Sequence, residues 1–308
     1  MQAQTMTQTQ ARTKAQPKTE TQPVAKAQAN AQPKPQPAVK ARPKRKRRSP
    51  AIMNGWIPDQ HGAWAMGFMP LLAGIILADK TWTLTLLALA WVGGFLLFGV
   101  FEKYLKSRFR VRYRPAVITY GAVTAAFGLP LLVLAPHLLW WALIYVPLVG
   151  YWAYNAWSRH ERALSSRIST IISSVLIAPL ATNVPNPEPW FSGATKPLAW
   201  LFAALLGVYF ALTVPYVKTL IRERGQQSWL IGSITAHAIA VIAACVLAFN
   251  GWVSWLHAIV WFGLLVRAIA MPLGAQRRGK PWRPGVIGPL EIAISFAVLL
   301  TLPWSLTL

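Results

Sequence analysis

The feature that most constrains this chain is a run of apolar segments, each close to the ~20 residues that cross a hydrocarbon core as a helix. About nine follow from Gly62 onward, at 62–79, 82–101, 115–135, 137–155, 165–182, 197–217, 229–249, 252–272 and 285–306. Inside a bilayer only helices and closed barrels satisfy their own backbone. No stretch alternates apolar and polar residues with period 2, which argues against a barrel. The expected fold class is all-α: a polytopic membrane helix bundle of about nine transmembrane helices. Composition agrees, since 55% of residues are hydrophobic and 13% charged, about half the charged share of a soluble domain.

The net charge of +23 suggests a nucleic-acid binder until its placement is read. Lys and Arg crowd into the connections 102–114, 156–164, 218–228 and 273–284, while the alternate connections carry only Lys80 and Lys196. Basic loops on one side of a bundle mark the cytoplasmic side. The expected topology is N-terminus in and C-terminus out, and the expected partners are anionic membrane lipids, with no nucleic acid. Residues 1–50, rich in Ala, Gln, Pro, Lys and Thr, lack the apolar content to offset chain entropy and are expected to be disordered. They end in Lys44-Arg45-Lys46-Arg47-Arg48, a cytoplasmic anchor to an anionic leaflet. They contain no apolar signal core, so the first apolar segment is expected to direct insertion. Two domains are expected: a tail, 1–50, and a transmembrane domain, 51–308. Cys245, alone in an apolar run, offers no disulfide framework.

Polar chemistry concentrates in a few places. Trp56-Ile57-Pro58-Asp59-Gln60-His61-Gly62-Ala63-Trp64 packs an acid, an amide, an imidazole and two indoles just before the first apolar segment. Asp59 and His61 are candidate proton-handling residues, with Gln60 a ligand contact; helix capping and an interfacial tryptophan belt explain the stretch equally well. Arg108, Arg110 and Arg112 alternate with apolar residues, as in a short extended or amphipathic segment, and Arg110, Arg112 and Arg114 form a candidate phosphate clamp. Asn155 and Arg159 are further ligand candidates after the fourth segment. Within apolar segments, Arg267 and Glu291 fall in the inner parts of neighbouring helices and are expected to pair; Arg267 is also a candidate ligand contact and Glu291 a candidate catalytic residue. His237 lies deeper. The inner acids Asp59, Glu102, Glu161, Glu223 and Glu291 make no i, i+3 or i, i+4 pairs, so no metal site is expected, and no motif specifies a cofactor.

The Trp56-x-Pro58-x-Gln60-His61-Gly62-Ala63-Trp64 signature, with the hydropathy pattern after it, resembles the YwiC-like family of bacterial membrane proteins over roughly residues 54–306. That resemblance implies the bacterial cytoplasmic membrane. A more distant similarity is to the UbiA-type intramembrane prenyltransferases, which also have nine spans with the N-terminus inside. Arg112-Tyr113-Arg114-Pro115 and Gly225-Gln226-Gln227-Ser228 resemble the ends of their two conserved loops. That similarity implies a cytoplasm-facing cavity for an isoprenoid or other lipid with an anionic head and, for any catalysis, a prenyltransferase-type reaction. The magnesium-holding Asp clusters of that superfamily are missing, because Glu102 is the only acid from Leu97 to Lys106. What survives is an anion held by arginines without a metal. Two other function classes fit the same residues: a transporter or channel using Glu291, Arg267 and His237, and a scaffold acting through its tail and basic loops.

Overall fold

The computed structural model describes residues 49–58, 61–160 and 163–303, with backbone only for His61 and Pro284. Among the described residues the chain is helical, with no strand. The helices are α1 (Pro50–Met53), α2 (His61–Leu77), α3 (Thr83–Lys106), α4 (Arg114–Leu134), α5 (Ala142–Trp157), α6 (Leu164–Val175), α7 (Ile177–Asn183), α8 (Pro197–Ile221), α9 (Gln227–Phe249), α10 (Trp255–Arg277) and α11 (Pro284–Leu300). Single 3₁₀ stretches precede α4 and α5. Six helical stretches are long and apolar enough to cross a membrane: Thr83–Lys106, Val111–Leu134, Leu164–Asn183, Pro197–Ile221, Gln227–Phe249 and Trp255–Arg277. Gly62–Leu77 and Gly285–Leu300 are shorter apolar helices.

α2 is a wall between two cores. Ala65, Met69 and Ala73, four residues apart, face a core shared with α6, α8, α9, α10 and α11. Leu71 and Ala78 face a second core with α3, α4, α7 and the 3₁₀ stretch Pro136–Trp141. Small residues set how closely the helices approach. Ala240, Ala244 and Ala248 run as one stripe down α9, buried in the first core. A Cβ on Gly74 would stand 2.8 Å from Ala178 Cα and O and from Ala181 Cβ of α7.

The span expected at 165–182 is two helices. Pro179 has no N–H to donate to Val175, and its ring crowds that carbonyl. α6 accordingly stops at Val175 and α7 begins at Ile177. This stretch lies well inside the bundle, with Ser166, Ser169 and Ser174 buried. The Ser174 hydroxyl donates to the Met66 carbonyl of α2, and Ser169 Oγ donates to Leu148 O of α5 at 3.2 Å.

One end of the bundle is closed by a polar cap around Asn183. Its Oδ1 accepts from Trp141 Nε1 at 2.8 Å, its carbonyl meets His137 Nε2 at 2.9 Å, and its Nδ2 donates to Glu188 O at 3.0 Å. Asn186 Nδ2 ties the loop to Ala194 O at 2.8 Å. At the opposite end, residues 49–58 lie against α3 and α4. Tyr120 Oη donates to Trp56 O at 2.7 Å, and Gly55 sits at φ +85, where an added Cβ would be 2.6 Å from Val100 Cγ2. Only glycine meets both demands.

Gly74→Ala is expected to cost about 1–3 kcal/mol, because the clash is with backbone rather than a flexible side chain. Gly263→Ala meets nothing within 4 Å and serves as the matched control. The readout is the thermal unfolding midpoint in one detergent: lowered in the first variant, unchanged or slightly raised in the second.

Candidate functional site

The end of the bundle that carries Trp56 gathers the cations. Apart from Lys80, Lys196 and Arg267, every described Lys and Arg lies in a connection at this end or within one helical turn of it. The exceptions at the far end are tied down locally. Lys80 Nζ donates to the terminal carbonyls of α2, Ile75 O at 2.5 Å and Ile76 O at 3.0 Å. Lys196 Nζ pairs with Asp79 at 2.7 Å.

At the basic end, cations stand on aromatic rings. Arg108 Cζ is 3.8 Å from the Trp157 ring centroid, Lys218 Nζ 4.3 Å from Trp229, and Arg278 Cζ 3.8 Å from Trp282. Arg112 lies 4.6 Å over Tyr113 and donates to its hydroxyl at 2.6 Å. Such stacking keeps a cation at the surface while its stem covers apolar area. The turn after α3 does not take the extended form, one of the two that the alternation suggests. Arg108 and Phe109 adopt left-handed backbone at φ 56 and φ 65. This turn closes α3, with Phe109 N donating to Tyr104 O at 2.9 Å, and lays the Phe109 ring 5.0 Å from Tyr104 and 5.5 Å from Trp157. A single 3₁₀ turn, Val111–Tyr113, then leads into α4.

The sequence candidates fall in two separate groups. Arg110, Arg112, Arg114 and Arg159 are exposed at the basic end. Asn155 is buried beside them, with Nδ2 donating to Tyr151 O at 2.8 Å within its own helix. Asp59 and Gln60 lie outside the described residues, as does the side chain of His61, whose backbone opens α2. Arg267 and Glu291 form the other group, between α8, α9, α10 and α11.

The second group is a buried polar centre. Arg267 Nη1 donates to both Glu291 carboxylate oxygens at 2.6 Å, with both side chains 7% exposed. The guanidinium lies 4.1 Å over the Tyr216 ring of α8. Tyr216 Oη donates to Met271 Sδ at 2.8 Å, and the His237 ring of α9 stands 6.4 Å from Tyr216. His237 Nδ1 donates to Ser233 O at 2.7 Å. One turn above Glu291, Ser295 Oγ donates to Glu291 O at 2.6 Å and meets Tyr209 Oη at 3.0 Å. Sequence reasoning found the pair and His237 but missed Tyr209, Tyr216 and Ser233. The available signal was the seven-residue spacing of the tyrosines, two turns apart on one face of α8. His257, by contrast, is satisfied locally by Thr301 Oγ1 and Trp261 Nε1, each at 2.9 Å.

These features define a multi-pass α-helical membrane protein with one basic, aromatic-rimmed end. Residues 57–182 match the profile of the YwiC-like protein family, which bears out the resemblance carried by the Trp56–Trp64 stretch. A protein of Haemophilus influenzae described as "Uncharacterized protein" is 26% identical over 245 residues, covering 79% of this chain and 97% of that one. "Uncharacterized protein YwiC" of Bacillus subtilis is 26% identical over 243 residues, covering 78% of this chain and 93% of that one. No solved structure matches.

Removing one partner of a buried ion pair strands the other charge and costs about 3–5 kcal/mol, whereas apolar replacement of both is close to neutral. Arg267→Leu alone is therefore expected to lower stability by that amount, and adding Glu291→Leu to recover most of it. A double-mutant cycle on unfolding free energy checks this.

Proposed function

We propose that this protein holds an anionic lipid at its basic end. The reading includes nine spans in a UbiA-like order in the bacterial inner membrane, with the N-terminus in the cytoplasm and the C-terminus outside. The shorter helices α2 and α11 and the composite stretch 136–157 supply the spans beyond the six long ones. The observation that carries the reading is a groove of about 530 Å³ between α5 and α6, lined by Pro147, Leu148, Tyr151, Leu164, Ile168 and Ile172 among others. Its walls are almost wholly apolar, and it opens sideways, where a lipid chain is the available occupant.

The groove reaches the basic end. Tyr151 Oη and Ser165 Oγ hydrogen-bond at 2.8 Å near its mouth, and α5 ends there at Trp157, which carries Arg108. An acyl or isoprenyl chain would lie along α5 and α6. Its phosphate would sit among Arg108, Arg159 and the Arg110–Arg112–Arg114 turn. Each of these cations contributes about 1 kcal/mol toward an anionic surface, and arginine matches phosphate oxygens with paired N–H groups. The site is a groove on the side of the bundle rather than the cytoplasm-facing cavity that the UbiA similarity implies, and it needs no magnesium. Asp59 and His61, just before and at the start of α2, are the proton-handling candidates nearest this end in sequence, with Gln60 a ligand contact between them.

Native mass spectrometry of protein released from nanodiscs of mixed zwitterionic and anionic lipid tests the reading. The wild type is expected to retain one anionic lipid preferentially. R110A/R112A/R114A is expected to lower that occupancy at least tenfold, since 1.4 kcal/mol is a factor of ten. Ile168→Trp, which fills the groove, is expected to remove the retained lipid whatever its head group. A lipid-free spectrum, or occupancy unchanged in both variants, overturns it.

A further inference from the structure

The polar centre between α8 and α11 has an unused binding edge. Arg267 spends Nη1 on Glu291, while Nε and Nη2 have no hydrogen-bond partner among the described residues. Arg267 is 8% exposed, so water does not serve these donors from the surface. The guanidinium cannot turn to find acceptors, because Glu291 holds one end and the Tyr216 ring holds its face. A buried charged donor left unpaired is costly, because it has lost water without gaining an acceptor. Nε and Nη2 share one edge of the guanidinium and point their N–H groups in parallel. That edge fits two oxygens of one planar carboxylate. A further buried hydroxyl, Ser233 Oγ, is also without a partner among the described residues. It lies on α9 one turn from His237, whose ring faces Tyr216.

We infer that the Nε–Nη2 edge of Arg267 is a binding position for one small monocarboxylate, distinct from the lipid groove. Charge decides the class. Arg267 and Glu291 together are neutral, so a monoanion adds one buried charge and a phosphate dianion adds two, at several kcal/mol per ion. A carboxylate is also flat, as the donor edge is. The edge is closed to solvent in this conformation, so a ligand reaches it only when the helices around it open. The α10–α11 contact is sparse, since α11 rests mainly on α2. The connection between α10 and α11 turns at Gly279, whose φ of 62 is left-handed.

Thermal unfolding of the full chain in nanodiscs, titrated with sodium acetate against sodium chloride at equal ionic strength, is the test. Binding to the folded state raises the midpoint in a saturable way. Acetate is expected to do so and inorganic phosphate is not. Arg267→Lys keeps the charge opposite Glu291 but has no parallel donor edge, and is expected to abolish the acetate effect. Glu291→Gln removes the competing charge and is expected to shift acetate saturation to about tenfold lower concentration. Should Arg267→Lys fail to fold, magic-angle spinning spectra of wild-type ¹⁵N-arginine protein with ¹³C-acetate decide the matter. They are expected to show a cross-peak between an arginine Nε and the acetate carboxylate, which disappears when unlabelled acetate is added in excess. No saturable acetate effect in the wild type, an effect that survives in Arg267→Lys, an equal response to phosphate, or spectra without that cross-peak would each overturn the inference.

Discussion

A hydrocarbon interior offers no partner to a polar group, and this chain is organised by that fact. Charges have two permitted places: the bundle ends, where water and head groups solvate them, or the interior in pairs. Lys80 and Lys196 occupy the far end only as a helix cap and as the partner of Asp79. Arg267 is the one basic residue among those described that lies deep within a helix, and Glu291 meets it. The pair joins α10 to α11, which otherwise touch little. Its neighbours Tyr209, Tyr216, Ser295 and His237 extend polarity across four helices.

The same constraint shapes the packing. With lipid outside as apolar as leucine, helices associate through close fit and local hydrogen bonds rather than through escape from water. Gly74 against Ala178, the alanine stripe of α9 and the serines of α6 each bring backbones together or bond from one helix to the next. α2 reads both cores at once, which gives its opening segment leverage over each. The stretch with the Trp56–Trp64 signature thus begins the helix on which the two halves of the bundle meet.

Much of this was legible in the sequence, and the reasons for the rest are specific. Apolar lengths revealed helices because a bilayer leaves few alternatives, and basic connectors revealed one common end because charge placement repeats loop after loop. Arg267 and Glu291 were expected to pair since each would be costly alone at similar depth. The break at Val175 was less visible: Pro179 signals a disturbance, but whether a helix kinks or restarts depends on neighbours. The left-handed turn at Arg108 and Phe109 was hidden, since neither residue favours it locally; the aromatic partner Trp157 comes from a distant segment. Asn183 as a hub, and Tyr216 beneath Arg267, depend on helices far apart in sequence.

The proposed topology puts the four basic connectors, 102–114, 156–164, 218–228 and 273–284, on the cytoplasmic side. Substituted-cysteine labelling in intact cells measures it directly, in a Cys245→Ala background that leaves no native thiol. A membrane-impermeant maleimide should reach Thr81→Cys, Ser192→Cys and Ser254→Cys from outside, and should label Phe109→Cys, Gln226→Cys and Lys280→Cys only after lysis. Labelling of any of the latter three in intact, sealed cells would contradict the account.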